Sequence, residues 1–166
     1  YPYSLVLYGF QKLYLKTGNE AYLAYAKQFV DQLIDKNGKI KGYAVTEFNI
    51  DSINPGKLLF LLHEKYQDQR YLVAMQSLRE QLQWQPRTTT GGFWHKNIYP
   101  WQMWLDGLYM GAPYYAQYAQ QFNESNKSSR TFGVSFKCQR YCFCRHWHYS
   151  LGKTIFSSQY FLDGAE

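Results

Sequence analysis

Two acidic residues of this sequence stand in settings that favour acid–base chemistry. Asp106 follows a loop that holds His95 and Lys96, in a stretch crowded with aromatic residues. Asp51 precedes a predicted helix start, where exposed backbone N–H groups favour a carboxylate. Aromatic side chains around an acid can exclude water and favour its protonated form, which a general acid needs near neutral pH. The residues alone leave two interpretations, an acid–base pair or a packed aromatic helix with two capping acids.

Aromatic residues are the main anomaly of the composition. Phe, Trp and Tyr make up 20% of the chain, and 17 residues are Tyr. The density is highest in residues 91–110, which hold three of the five Trp. Because Tyr and Trp in a cleft commonly stack on ring-shaped ligands, the composition favours carbohydrate as a partner.

Five helices must position these residues, according to the spacing of apolar side chains and the capping residues. The predicted helices run from Tyr1 to Thr17, from a cap at Asn19 to Asn37-Gly38, from Asn54-Pro55 onwards, from about Asp68 to Trp84, and from Pro100 through Trp101 to Met110. His95 and Lys96 then lie on the loop before the fifth helix, and Asp106 lies in its opening turns.

The first four predicted helices are two copies of one unit with a period of 49 residues. Six pairs of identical residues align at this period, Leu13 with Leu62 among them. Helical hairpins that recur at this spacing stack into an open solenoid or close into a ring. Either arrangement would bring Asp51 and Asp106 to the same edge, each near the first helix of a unit. Two acids at one rim are the minimum for acid–base catalysis on a sugar.

The net charge of +6 does not indicate a nucleic-acid partner. Residues 1–124 carry 12 basic and 10 acidic side chains, so most of the basic excess lies in residues 125–166. No apolar run approaches the ~20 residues of a membrane span. We therefore expect neither nucleic acid nor membrane as a partner. We expect a cytoplasmic protein, with the periplasm or secretion as alternatives.

Five segments of residues 1–124 carry a family resemblance. They are residues 15–19, 51–57, 81–88, 91–96 and 104–110, of which the last two form the longest and most specific motif. They resemble the unsaturated rhamnogalacturonyl hydrolases, glycoside hydrolase family 105, and more distantly the unsaturated glucuronyl hydrolases of family 88. The resemblance implies an all-α fold, a partial (α/α)6 barrel of antiparallel helical hairpins. About two and a half of the six hairpins are present.

The resemblance also implies a reaction. The substrate would be an oligosaccharide with an unsaturated uronic acid, specifically an unsaturated rhamnogalacturonan disaccharide. The enzyme would hydrate the C4=C5 enol ether of the unsaturated galacturonyl residue. By this resemblance Asp106 delivers the proton and activates water, and Asp51 is the second essential acid.

The same resemblance implies the residues that hold the sugar. His95 and Lys96 would contact the sugar or its carboxylate, and Trp94, Trp104 and Tyr3 would supply a stacking face. Neither a metal nor an organic cofactor is implied. The alternatives are hydrolysis of unsaturated glucuronyl disaccharides, a non-catalytic helical-repeat fragment that binds carbohydrate, and a product that does not fold stably.

Residues 125–166 differ in character from the rest of the chain. Helical periodicity fades, and Ser, Arg and Cys become frequent. Cys138, Cys142, Cys144, His146 and His148 cluster here without the two separated ligand pairs of a structural zinc site, so no metal is expected. We predict a partial glycoside hydrolase domain over residues 1–124. Residues 125–166 are interpreted as an atypical tail produced by a frameshift, with a divergent tail as the alternative.

Overall fold

The computed structural model describes residues 2–124, and this part of the chain is helical. The helices are α1 (Pro2–Thr17), α2 (Glu20–Leu33), α3 (Lys57–Tyr66), α4 (Gln69–Trp84) and α5 (Leu105–Gln121). Three short 3-10 turns precede α3: Val45–Glu47, Ile50–Ser52 and Asn54–Gly56. Residues 2–124 contain no β-strand, only two isolated bridges. The predicted all-α class is confirmed.

Short connections with capping side chains fold the helices into hairpins. The Asn19 side chain accepts a hydrogen bond from the Ala21 N–H and begins α2. Asp68 accepts in the same way from the Arg70 N–H and begins α4. A side-chain oxygen at this position satisfies one of the unpaired N–H groups of a helix start. The pairs α1–α2 and α3–α4 with the single helix α5 give two and a half hairpins, so the predicted partial (α/α)6 barrel is confirmed.

The helix boundaries reproduce the sequence repeat. Helices α1 and α3 end at Thr17 and Tyr66, which are 49 residues apart, and α2 and α4 begin at Glu20 and Gln69, with the same separation. The two hairpins are therefore equivalent structural units, and helix α5 opens a third unit.

One apolar core runs between the hairpins. Its fully buried side chains include Leu23 of α2, Phe60 of α3, Tyr71 of α4 and Tyr114 of α5. The Tyr114 hydroxyl donates to the carbonyl oxygen of Met75 at 2.7 Å, so this buried phenol has its hydrogen bond. The core therefore fixes α5 directly against the second hairpin.

The predicted end of α2 and the predicted start of α5 are wrong. Helix α2 ends at Leu33, before Asn37-Gly38, because the Asp35 side chain accepts hydrogen bonds from the backbone N–H groups of Asn37 and Lys39 and closes a turn there. Helix α5 begins at Leu105 and not at Pro100. Trp101 has a φ of +67°, in the left-handed region, which a continuing helix cannot contain.

The predicted tail, residues 125–166, lies outside the described residues, as does Tyr1. Within the part of the chain that is described, no helix combines the length and the apolar character needed to cross a membrane.

Candidate active site

A 3-10 turn and a long loop position three of the predicted site residues. Asp51 lies in the turn Ile50–Ser52, where its backbone N–H donates to the Asn49 side chain. His95 is fixed on both sides of its backbone. Its N–H donates to the Gln102 carbonyl at 2.8 Å, and its carbonyl accepts from the Ile50 N–H at 3.0 Å. The loop that carries His95 is therefore bound directly to the turn that carries Asp51.

The side chain of Gln85 connects the same two segments through hydrogen bonds. The Gln85 Nε2 donates to the carbonyl of Phe48 at 2.6 Å and to the carbonyl of Trp94 at 2.8 Å. Its Oε1 accepts from Gln81 Nε2 at 3.0 Å, and the Gln81 Oε1 accepts from the Tyr43 hydroxyl at 2.9 Å. The end of α4 thereby sets the distance between the two site segments.

Four of the predicted site residues meet in one group, which we name the acid cluster: Asp51, His95, Lys96 and Asp106. His95 Nε2 lies 3.3 Å from Asp51 Oδ1, and Lys96 Nζ lies 2.6 Å from Asp51 Oδ2. On its other side, His95 Nδ1 lies 3.9 Å from Asp106 Oδ1. The imidazole of His95 therefore lies between Asp51 and Asp106, the two acids predicted to share one edge.

Burial differs sharply within the acid cluster. The His95 side chain is 1% exposed, whereas the Asp106 side chain is 46% exposed. His95 therefore offers almost no surface to a sugar in this structure, and each of its ring nitrogens lies near one of the two acids. Asp106 is the member of the acid cluster that a ligand can reach most directly.

The expected burial of Asp106 by aromatic rings is wrong. Trp104 stacks on His95 instead, with ring centroids 4.2 Å apart and an interplanar angle of 15°. Tyr99 in turn stacks on Trp104, with ring centroids 5.1 Å apart. The aromatic residues therefore cover the histidine and leave the acid, in the first turn of α5, partly exposed.

The expected equivalence of the two acids within the repeat is also wrong. At a period of 49 residues, Asp106 aligns with Lys57 and not with Asp51. Asp51 lies six residues before α3, whereas Asp106 lies inside the first turn of α5. The acids meet because the loop holding His95 folds back onto the Asp51 turn.

The remaining predicted residues lie outside the acid cluster. Trp94 packs edge-on against Trp101, with centroids 4.9 Å apart. Tyr3 is 71% exposed on α1 and stacks against Phe29 of α2. Of the three predicted stacking residues, the structure therefore brings only Trp104 into contact with the acid cluster.

Trp101 is a candidate binding residue that the sequence interpretation missed. Its side chain is 65% exposed, and its backbone adopts the left-handed conformation that bulky residues rarely take. Strained backbone of this kind concentrates at functional sites. Its position in the aromatic stretch of residues 91–110 could have indicated a binding role. Because the sequence interpretation placed Trp101 inside a helix, its exposure was not expected.

Lys57 is a second residue that the sequence interpretation left without a role. It begins α3 and is buried, and its Nζ lies 4.0 Å from the ring centroid of Tyr109 and 5.2 Å from that of Tyr8. Burial, with a smaller contribution from the charge of Lys12, lowers the pKa of Lys57 to about 8. The sequence feature that could have drawn attention to Lys57 is a single lysine within an otherwise apolar helix face.

Comparison with known proteins identifies the family. Residues 1–141 match the model of glycosyl hydrolase family 88. The chain is also similar to a solved structure of a family 105 glycoside hydrolase from C. acetobutylicum ATCC 824, with 41% sequence identity and a TM-score of 0.73. That match covers 80% of this chain but 38% of the other, so this chain spans well under half of that relative. The family resemblance in the sequence is thus confirmed, and the chain belongs to glycosyl hydrolase family 88.

Proposed function

We propose that this chain carries the acid cluster of an enzyme that hydrates unsaturated uronides, with unsaturated rhamnogalacturonan disaccharides as substrates. The observation that supports this most is the contrast between Asp106 and its neighbours. Its carboxyl group is open to a ligand, while Asp51, Lys96 and a buried His95 hold fixed positions behind it. Family membership supports a glycoside hydrolase, and the uronide substrate is the finer proposal.

The proposed reaction begins at the C4=C5 double bond of the terminal uronic acid. Asp106 donates a proton to C4, and the hydroxyl of a water molecule adds to C5 while the water's second proton passes to Asp106. The bond from C5 to the ring oxygen then breaks as the proton of the new C5 hydroxyl passes to that oxygen, which leaves a ketone at C5. C1 is now a hemiacetal carbon, and it becomes an aldehyde as its hydroxyl proton passes to the bridging oxygen and rhamnose leaves. One water molecule is consumed, and Asp106 returns to its starting state.

The rest of the acid cluster would keep Asp106 in position for this step. Asp51 lies against His95 Nε2 and favours the tautomer that carries its proton there. The imidazole then presents its Nδ1 lone pair towards Asp106, where it can accept a hydrogen bond from the protonated carboxyl group. Lys96, which is paired with Asp51, would also contribute positive charge near the carboxylate of the uronic acid.

Loss of ultraviolet absorbance tests the proposal, because hydration removes the conjugated double bond. The full chain is mixed with rhamnogalacturonan cut by a lyase, and the absorbance of the unsaturated uronate is followed. We expect a decrease that Asp106→Asn abolishes and that Glu64→Gln, at an exposed acid of α3, leaves unchanged. No decrease with the unsubstituted chain, or an equal decrease with Asp106→Asn, would overturn the proposal.

Unsaturated glucuronyl disaccharides are the alternative substrates. The same absorbance assay separates them when both compounds are compared at equal concentration. Faster loss from the glucuronyl compound would assign the chain to the alternative activity.

A non-catalytic carbohydrate-binding role is the second candidate function. Two observations favour it: the exposed side chain of Trp101, and the span of 38% of the family 105 relative. Calorimetry with the same oligosaccharides distinguishes this role. A protein that only binds the sugar should give heat of binding without any change in absorbance.

A further inference from the structure

We propose that His95 and Asp106 bind a divalent cation of the Zn²⁺ class, with Asp51 orienting the histidine. The inference goes beyond the proposed function and does not depend on it. Two independent observations support it. One donor atom each of Asp51, His95 and Asp106 lies within 4.8 Å of the others, and His95 Nδ1 is a buried nitrogen without a hydrogen-bond partner in residues 2–124.

The His95 ring is held in the arrangement that metal-binding histidines use. Such histidines direct one ring nitrogen to the metal while the other donates its N–H to a carboxylate, which fixes the tautomer and the ring orientation. Here Asp51 Oδ1 lies 3.3 Å from Nε2, and Trp104 stacks on the ring at 4.2 Å. The lone pair at Nδ1 therefore has a fixed direction, and no described residue donates a hydrogen bond to it.

The separation of the two proposed ligand atoms suits a small cation. A tetrahedral Zn²⁺ with bonds of about 2.1 Å holds two ligand atoms about 3.4 Å apart. His95 Nδ1 and Asp106 Oδ1 are 3.9 Å apart, so the carboxylate must approach by about 0.5 Å. Because the Asp106 side chain is 46% exposed, it has the freedom to turn by this amount. Water can fill the remaining positions from the open side.

The charges of the acid cluster favour a cation at this position. Lys96 pairs with Asp51 Oδ2 at 2.6 Å and balances that carboxylate. Within residues 2–124 no lysine or arginine pairs with Asp106, and its Oδ1 accepts a hydrogen bond from the Gly107 N–H at 3.0 Å. A divalent ion bound beside Asp106 would occupy the oxygen that a sugar ligand must reach, so the cation and a ligand at Asp106 would exclude each other.

Calorimetric titration with ZnCl₂ tests the site. The titration uses the full chain with Cys138, Cys142 and Cys144 replaced by Ser, because thiolates would bind the ion themselves. We expect one equivalent of Zn²⁺ to bind, with an affinity that Asp106→Ala lowers at least about tenfold. Glu64→Gln, an exposed acid of α3, and His63→Gln, a histidine of the same helix, should leave the affinity unchanged.

Two further measurements keep the result interpretable. His95→Gln should also lower the affinity at least about tenfold, and a circular dichroism spectrum shows whether this buried substitution leaves the fold intact. Co²⁺ in place of Zn²⁺ should give visible absorption of nitrogen and oxygen ligation without the thiolate charge-transfer bands. Undiminished Zn²⁺ binding by Asp106→Ala, or absence of binding by the background chain, would overturn the proposal.

Discussion

Gly107 approaches the imidazole of His95 so closely that a Cβ atom at this position would lie 3.0 Å from Nδ1. A Cβ makes such a short contact only when its neighbour moves. Because His95 is buried and bound by its backbone on both sides, it has little room to move. The glycine that follows Asp106 therefore allows helix α5 to begin against the histidine.

Gly107→Ala should lower the stability of the protein, although alanine is the better helix former. Alanine at an unhindered helical glycine contributes about 0.5–1 kcal/mol of stability. Gly9→Ala in α1 is the matched control, since nothing lies within 4 Å of its Cβ position. Urea denaturation should show stabilisation for Gly9→Ala and destabilisation for Gly107→Ala. Equal stabilisation of both variants would mean that His95 is not held as described.

Trp101→Ala should weaken the binding of oligosaccharides without loss of the fold. The exposed indole is available to stack on a sugar ring, and an aromatic contact of about 1 kcal/mol corresponds to roughly a fivefold change in affinity. Calorimetry with lyase-cut pectin oligomers measures the effect. Tyr25→Ala, at a half-exposed aromatic residue of α2, should leave the affinity unchanged. An unchanged affinity for Trp101→Ala would remove Trp101 from the binding surface.

The stability of the protein should increase between pH 7.5 and 9.5 because of Lys57. Burial holds the pKa of Lys57 at about 8 in the folded chain, against 10.5 for an exposed lysine. Between these values the unfolded chain binds more protons than the folded chain, so stability rises with pH. The increase should be about 2 kcal/mol in the free energy of unfolding.

Lys57→Met provides the control for this pH dependence. Methionine has a similar shape and carries no proton, so denaturation of this variant should show no comparable increase between pH 7.5 and 9.5. Ionisation of buried tyrosines does not interfere in this range, because burial raises the pKa values of Tyr43 and Tyr71 above 10. A pH dependence that persists in Lys57→Met would assign it to another group.

Asp51 and Lys96 should be energetically coupled. Their side chains are 26% and 24% exposed, so water screens the pair only in part. A double-mutant cycle with Asp51→Asn and Lys96→Met should give a coupling energy of about 1 kcal/mol in urea denaturation. The ion pair of Glu20 with Lys65 is the control, and its more exposed carboxylate should give a smaller coupling. Additive effects at Asp51 and Lys96 would show that the pair contributes nothing.

The helical architecture could be predicted from the sequence because apolar spacing, capping residues and a repeat all indicate it. The ends of α1 and α3 and the starts of α2 and α4 preserve the 49-residue period. The family resemblance named seven site residues, and four of them, Asp51, His95, Lys96 and Asp106, meet in the acid cluster. The spacing of the repeat predicted that Asp51 and Asp106 lie at one edge. It also gave them equivalent positions in successive repeats, and that part of the prediction was wrong.

The exposure of single side chains could not be predicted in the same way. Pro100 suggested a helix start, but the loop keeps its own hydrogen bonds, which hold Trp101 in a left-handed conformation. Aromatic residues near Asp106 in sequence suggested burial of the acid, yet Trp104 covers His95. Such details depend on which ring packs on which neighbour, and composition does not specify this.

The hydrogen bond from the Ile50 N–H to the His95 carbonyl joins segments that belong to successive repeats. Every member of the acid cluster lies within residues 51–106, and the core that holds α5 against the two hairpins also includes Met110 and Tyr114 of α5 itself. Domains fold progressively as the chain leaves the ribosome. During synthesis the acid cluster can therefore assemble once α5 has emerged as far as Tyr114, before the segments that follow α5 are made.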